Sequence, residues 1–300
     1  MINFLRYRTL SFSAFAAMFI ASIGLYFYRG GFNYSVDFTG GTQVVLRFDR
    51  PVKAGEVRDL LKQDNWRGVE VSEFDKNDVR VRVQDVSVES SGLGERIRET
   101  VEKGLVGTKV ELLQTEQVSS SIGKTLVWNA IYAVLLALFA MLIYIFIRFK
   151  ISFALGAVIA LVHDAVAIFF VFLLLNWEIS IDVIAAVLMV LGYSINDTIV
   201  IFSRIRERIK GSAGHENLDD VVNEAINSTL RRTLLTSFST LLVILSILFL
   251  GGEALRSLAF ALFLGVVFGT YSSIFIASPI MLLFYKSKSA KKGAPVTVSQ

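Results

Sequence analysis

Six apolar runs punctuate the chain: about Leu10–Phe27, Leu126–Ile147, Ile151–Leu175, Asp182–Arg208, Leu230–Leu250 and Leu258–Tyr285. Each approaches or exceeds the twenty or so residues that a helix needs to cross a bilayer. Between the first and second runs lies a long polar interlude with quite different periodicity. Thr42, Val44, Leu46 and Phe48 alternate with Gln43, Val45 and Arg47, a period of two that predicts a half-buried strand. Lys53–Asn65 places Val57, Leu60 and Leu61 on one helical face. Val69–Phe74 and Val79–Val83 predict two further strands joined by a turn at DKND, with Arg80 and Arg82 opposite the valines. A helix over about Leu93–Lys103 and a strand over Thr108–Gln117 complete a β-α-β-β-α-β order, that of a ferredoxin-like split βαβ domain.

The expected fold is therefore an α-helical polytopic membrane protein with six transmembrane helices and one α+β ferredoxin-like (βαββαβ) domain between the first and second. Residues 1–28 hold the N-terminus and first span, 29–123 the domain, 124–286 a five-helix bundle and 287–300 a basic tail. Ser119–Gly123 reads as a short linker, and NWEIS between the third and fourth runs as a tight turn. The segment HENLDDVVNEAINST carries an apolar stripe at Leu218, Val221, Val222, Ala225 and Ile226, expected as a surface helix docked beneath the bundle.

Composition agrees: the chain is 300 residues long and 54% hydrophobic. Its net charge of +4 is concentrated at the ends of the runs, which argues for topology anchors and against nucleic-acid binding. With six spans, Arg6/Arg8, Arg148/Lys150, Arg204–Lys210 and Lys286–Lys292 all fall on one side. The positive-inside rule assigns that side, and both termini, to the cytoplasm, leaving the domain extracytoplasmic in a cell (inner) membrane protein. A basic start before an apolar run also describes a signal peptide. The first run is long for one, and GLYFYRGG lacks a small-x-small cleavage site, so an uncleaved span is expected. There are no cysteines and only two histidines, His163 and His215, so thiolate chemistry and histidine-rich metal sites are not expected. No phosphate loop, GxSxG or HExxH occurs, and neither enzymatic activity nor a cofactor is expected.

The chemistry-bearing residues lie inside the runs. The fourth holds Tyr193, Ser194, Asn196 and Asp197, although a carboxylate at mid-bilayer costs about 2.5–3.5 kcal/mol on insertion scales. Asp197 is either a structural hydrogen-bonding group or, the reading preferred, a group that binds and releases a proton or ion. Tyr193, Ser194 and Asn196 are read as its support. His163 and Asp164 in the third run divide between packing and proton relay. The fifth run opens with hydroxyls at helical spacing, Thr229, Thr233, Thr236 or Ser237, and Thr240, beside Arg231 and Arg232. Such hydroxyls often bond back to helix carbonyls, and the arginines can snorkel to the interface. Arg232 can also reach Asp197, and withdrawal of an arginine from an aspartate favours proton uptake. In the sixth run Ala261, Gly265 and Gly269, continued by Ser272/Ser273 and Ala277, read as a helix-packing line.

Four stretches, YSVDFTGGTQV, GYSINDTIVIFSRIRE, NSTLRRTLLTSFSTLL and GTYSSIFIASP, together resemble the SecF family of bacterial SecDF accessory translocases, within the RND-type superfamily. The resemblance covers essentially the whole chain. It implies a non-enzymatic subunit that uses the proton-motive force, with the proton as coupling ion, to promote late-stage preprotein translocation. The partners it implies are SecD, the SecYEG channel with SecA, and the preprotein itself. It places the family's proton-pathway aspartate on Asp197 and its arginine on Arg232, and its glycine motif on Asp37, Gly40 and Gly41. Ser203 stands where the family motif usually has an aspartate, and Arg231 where a serine is common. The competing expectations are an RND-type half-transporter exporting a small molecule or lipid, and a membrane scaffold with no transport of its own.

Overall fold

The computed structural model describes residues 2–64, 66, 69–73, 77–83, 92–105, 107–118, 120–211 and 217–291. The DKND turn, His215 and the end of the basic tail lie wholly or partly outside the described residues. The chain divides into two units, one formed by Met1–Asn33 with Tyr132–Gln300, the other by Tyr34–Ile131.

The second unit begins with a one-turn helix, α2 (Val36–Thr39), after the long helix α1 (Arg8–Arg29). It then runs β1 (Gly41–Phe48), α3 (Ala54–Gln63), β2 (Glu70–Glu73), β3 (Asp78–Val83), α4 (Leu93–Gly104) and β4 (Val110–Val118), in the expected βαββαβ order. The strands lie in the order β2-β3-β1-β4, and every pairing is antiparallel. The register between β1 and β4 shifts at Val45/Leu46, where Leu113 of β4 is the extra, unpaired residue of a bulge. One face of the sheet is covered: Val44, Leu46, Phe48, Val79, Val81 and Val83 pack with Val57 and Leu61 of α3 and Leu93, Ile97 and Val101 of α4. The alternation read along β1 is thus the alternation of its core face.

Where α2 meets β1 the backbone needs glycine. Gly40 caps α2 at φ 73°, ψ 165°, and Gly41 follows at φ 123°, conformations that side chains with a Cβ rarely adopt. The Ser35 hydroxyl accepts from the Asp37 amide and donates to the Asp37 carboxylate at 2.9 Å, an N-cap that fixes the turn's entry.

The first unit is helical. Six helices among the described residues are long and apolar enough to cross a membrane. They comprise α1, α5 (Ser120–Arg148), α6 (Ile151–Leu175), α7 (Ile181–Gly211), α8 (Leu218–Leu250), and a final span built from α9 (Gly252–Ser272), a π-helical segment (Ser273–Ala277) and α10 (Ser278–Lys291). Half or more of the apolar stretch in α6, α7 and the final span is buried, and little of α1 or α5 is.

Two expectations are corrected. No separate surface helix precedes the fifth span. Between Leu218 and Leu250 no glycine or proline interrupts the helix, so α8 runs through without a break. Its first turns bury Val221, Val222, Ala225 and Ile226 against Phe4, Leu5, Phe202, Ile205 and Ile209. The linker at 119–123 is also absent from Ser120 onward, because α5 already starts there. The sixth span is present as expected, over Leu255–Lys286, and contains a π turn. Pro279 has no N–H for the carbonyl four residues back, and the chain widens into a π turn just before it. The tight turn after α6 is as expected, closed by Asn176 in the left-handed conformation at φ 55°.

Candidate functional site

Asp197 is 4% exposed and lies on the side of α7 that faces α8. Its neighbours there are the hydroxyls of Ser237 and Thr236 and the charge of Arg232. Its Oδ2 is buried and has no hydrogen-bond partner among the described residues. Arg232 itself is exposed, and among the described residues no ion pair within 4 Å joins it to Asp197. The expected close pair is therefore corrected to an interaction through space. The reason is helical: Thr229, Thr233 and Ser237, at four-residue spacing, are the positions buried along α8. Arg232 sits one residue to the side of that line, with its long chain free to reach outward. Between the two arginines, Arg232 is the one whose charge reaches Asp197.

The hydroxyl stripe on α8 divides in two. Thr229, Thr236 and Thr240 bond back to carbonyls of their own helix. Ser237 instead meets Thr270 of α9 at 2.7 Å, and Thr240 also donates to the Tyr193 hydroxyl at 3.1 Å. Thr233, 1% exposed, leaves its Oγ1 without a partner among the described residues. Buried polar atoms in native proteins are almost always satisfied, so Asp197 and Thr233 stand out as two orphans on facing helices.

The other polar residues read from the fourth span do not all gather round Asp197. Tyr193 does approach α8, through Thr240. Asn196 is exposed and takes no part in the cluster. Ser194 looks the other way, towards α6, where its hydroxyl donates to Asp164 Oδ2 at 2.6 Å. Asp164, 0% exposed, also has His163 Nδ1 3.0 Å from its Oδ1.

Sequence reasoning passed over several partners. Thr198 and Ser273 share a hydrogen bond of 2.8 Å, and Ser273 also donates to the Ser194 carbonyl at 3.4 Å. Thr270 partners Ser237. The available signal was the run of hydroxyls at Thr270, Ser272 and Ser273 within an otherwise small-residue line. That line does pack as expected. A Cβ at Gly265 would collide with Val190 of α7, and one at Gly269 would lie 3.0 Å from Ser194 Cβ. Backbone approach at these two glycines brings the final span close enough to α7 for the Ser273 hydroxyl of its π segment to reach Thr198.

A family model described as SecD/SecF GG Motif matches residues 30–52. A second, described as Protein export membrane protein SecD/SecF, C-terminal, matches residues 98–287. The protein translocase subunit SecF of Thermodesulfovibrio yellowstonii is 34% identical over 97% of this chain and 97% of its own. That of Pseudomonas aeruginosa is 38% identical, over 94% of this chain and 90% of its own. A solved crystal structure of SecDF, a translocon-associated membrane protein from Thermus thermophilus, superposes with a TM-score of 0.85 at 34% identity. The match covers 95% of this chain and 39% of that longer one. With more than half of its residues matched by the family model and near full-length relatives, the chain belongs to the SecD/SecF family of protein export membrane proteins.

Proposed function

We propose that this chain is the SecF subunit of a Sec-pathway accessory complex and that Asp197 couples proton movement to preprotein export. The observation that carries the reading is the buried Oδ2 of Asp197, unpartnered in a membrane helix and within electrostatic reach of Arg232. An ionised carboxylate in that setting is costly and gains by taking up a proton. A membrane potential of about 180 mV supplies roughly 4 kcal/mol per proton, enough to bias a two-state equilibrium strongly. Protonation weakens the attraction to Arg232, the packing of α7 against α8 and α9 changes, and the βαββαβ unit moves with it.

The partner in this reading is SecD. The Thermus thermophilus relative named SecDF is a longer chain of which the similar region occupies 39%, as expected if two such subunits are fused there. The complex works beside the SecYEG channel and the SecA ATPase on emerging preproteins. Both termini lie in the cytoplasm and the βαββαβ unit on the outer side of the inner membrane, following the basic clusters at the span ends.

The test is Asp197→Asn in the assembled complex. Loss of the proton-dependent part of secretion, with normal assembly, is expected. Unchanged proton-dependent secretion in the intact complex overturns the reading, and an efflux defect with normal secretion favours a small-molecule or lipid exporter.

A further inference from the structure

His163 and Asp164 are the other titratable residues buried in the core of the bundle, and nothing in the coupling scheme above uses them. Asp164 is 0% exposed and His163 4%. Ser194 donates to Asp164 Oδ2 at 2.6 Å. A lone carboxylate at such depth is too costly to persist, so it either holds a proton or stands against a counter-charge. No lysine or arginine contacts Asp164 among the described residues. The group that does is His163, whose Nδ1 stands 3.0 Å from Oδ1.

The surroundings of the imidazole suit a cation. Phe15 of α1 meets the ring edge-on at 5.0 Å, and Tyr271 and Phe268 of α9 lie 5.8 and 6.4 Å away. Of these, Phe15 and Tyr271 lie within the roughly 6 Å over which an aromatic ring can favour a cation. The groups facing the pair are, element by element, Phe15 from α1, Ser194 from α7, and Phe268, Tyr271 and Ser272 from α9. Of these only the Tyr271 phenol is titratable. Asp197, three residues beyond Ser194 on α7, faces α8 instead.

We propose that His163 and Asp164 form a second proton-holding site in the membrane, a histidinium–aspartate pair braced by Ser194 and distinct from Asp197. The exchangeable proton sits on His163 Nδ1 and is shared towards Asp164 Oδ1. Its release leaves a neutral imidazole beside a carboxylate, and its uptake restores the neutral pair. This extends the proton-driven reading of the bundle, but the charge on His163 can be measured whether or not Asp197 couples transport.

The chain has only two histidines, which makes the measurement direct. The full chain, labelled with ¹⁵N-histidine and reconstituted in lipid, is read by solid-state NMR, with His215→Gln to assign the signals. An imidazolium signature for His163 at neutral pH is expected. In Asp164→Asn that signature gives way to a neutral ring, while Asp197→Asn leaves it in place. A neutral His163 in the wild-type chain at every pH where it stays folded overturns the proposal. So does an imidazolium that persists unchanged in Asp164→Asn. Should Asp164→Asn fail to fold, the wild-type titration alone decides the matter.

Discussion

Ser194 and Asp197 stand three residues apart on α7 and engage different helices: Ser194 bonds Asp164 of α6, and Asp197 confronts the hydroxyls of α8. A rotation of α7 that improved one contact would strain the other. These two buried carboxylates are thus linked through one rigid element, with Thr198 and Ser273 closing the gap to the π segment of the final span. π turns mark places where a helix changes its hydrogen-bonding pattern and are common at functional sites.

The first prediction concerns Arg232. It acts on Asp197 as a charge through space, not as a bidentate partner, so a lysine can replace it in a way that would be impossible at a fork-to-fork contact. Arg232→Lys should retain proton-dependent secretion to within about threefold, while Arg232→Gln should lose about tenfold or more. Secretion in inverted or reconstituted vesicles with an imposed proton gradient measures both. Equal loss in the two variants would mean that guanidinium geometry, not charge, is required.

A second prediction follows from the brace on Asp164. Ser194→Ala removes one donor from a wholly buried carboxylate and should cost about 1.5–3 kcal/mol, as for a hydrogen bond to a charged group. Ser194→Thr, which keeps the hydroxyl, adds a methyl close to Gly269 and should cost through crowding instead. Thermal unfolding of the purified chain in detergent reports the first loss, and combining Ser194→Ala with Asp164→Leu should remove most of it. Additive losses would show that the bond contributes nothing.

Much of this architecture was legible because length and period alone dictate it. Twenty-residue apolar runs have no other stable form, and the alternation along Thr42–Phe48 places the same residues in the core that the structure buries. What stayed hidden was which neighbour each face meets. Ser194 and Asp197 are close enough on a helical wheel to read as one site, and only the placement of α6 and α8 separates them. Arg232 looked like a direct partner because helix rise permits it, while its direction depends on which line of α8 is buried. The continuation of α8 through Leu218–Leu230 was missed because an amphipathic stripe reads alike in a separate surface helix and in the first turns of a span. The π segment had one cue, Pro279, whose missing N–H does not say how the preceding turn will adjust.

The third prediction tests the close approach of α9 to α7. A Cβ at Gly265 would overlap Val190, so Gly265→Ala should destabilise the bundle by about 1–3 kcal/mol, the usual range for overpacking. Val190→Ala removes the colliding methyl groups and should recover part of that loss in the double variant. The measurement is the same unfolding transition taken across the four-member cycle. A Gly265→Ala chain as stable as wild type would show that the two helices can part without cost.

The last prediction concerns the glycine pair that opens β1. Gly40 lies at φ 73°, ψ 165° and Gly41 at φ 123°, so each occupies backbone space that a Cβ closes to ordinary residues. The turn is hemmed in from a second direction: Gly123 at the start of α5 comes so near that a Cβ there would lie 2.6 Å from the Phe38 carbonyl. Gly40→Ala should therefore cost about 1–3 kcal/mol, and Gly41→Ala a similar amount, with backbone strain the first cause. Gly55 on α3 offers the control, because a Cβ there meets nothing within 4 Å and its backbone is helical. Alanine at Gly55 should stabilise by about 0.5–1 kcal/mol, since glycine is the poorer helix former. Limited proteolysis of the full chain, followed by the rate at which the βαββαβ unit is cut, ranks the three variants. If Gly40→Ala and Gly55→Ala were cleaved at the same rate, the positive φ at Gly40 would carry no strain, and the motif would owe its glycines to something other than backbone geometry.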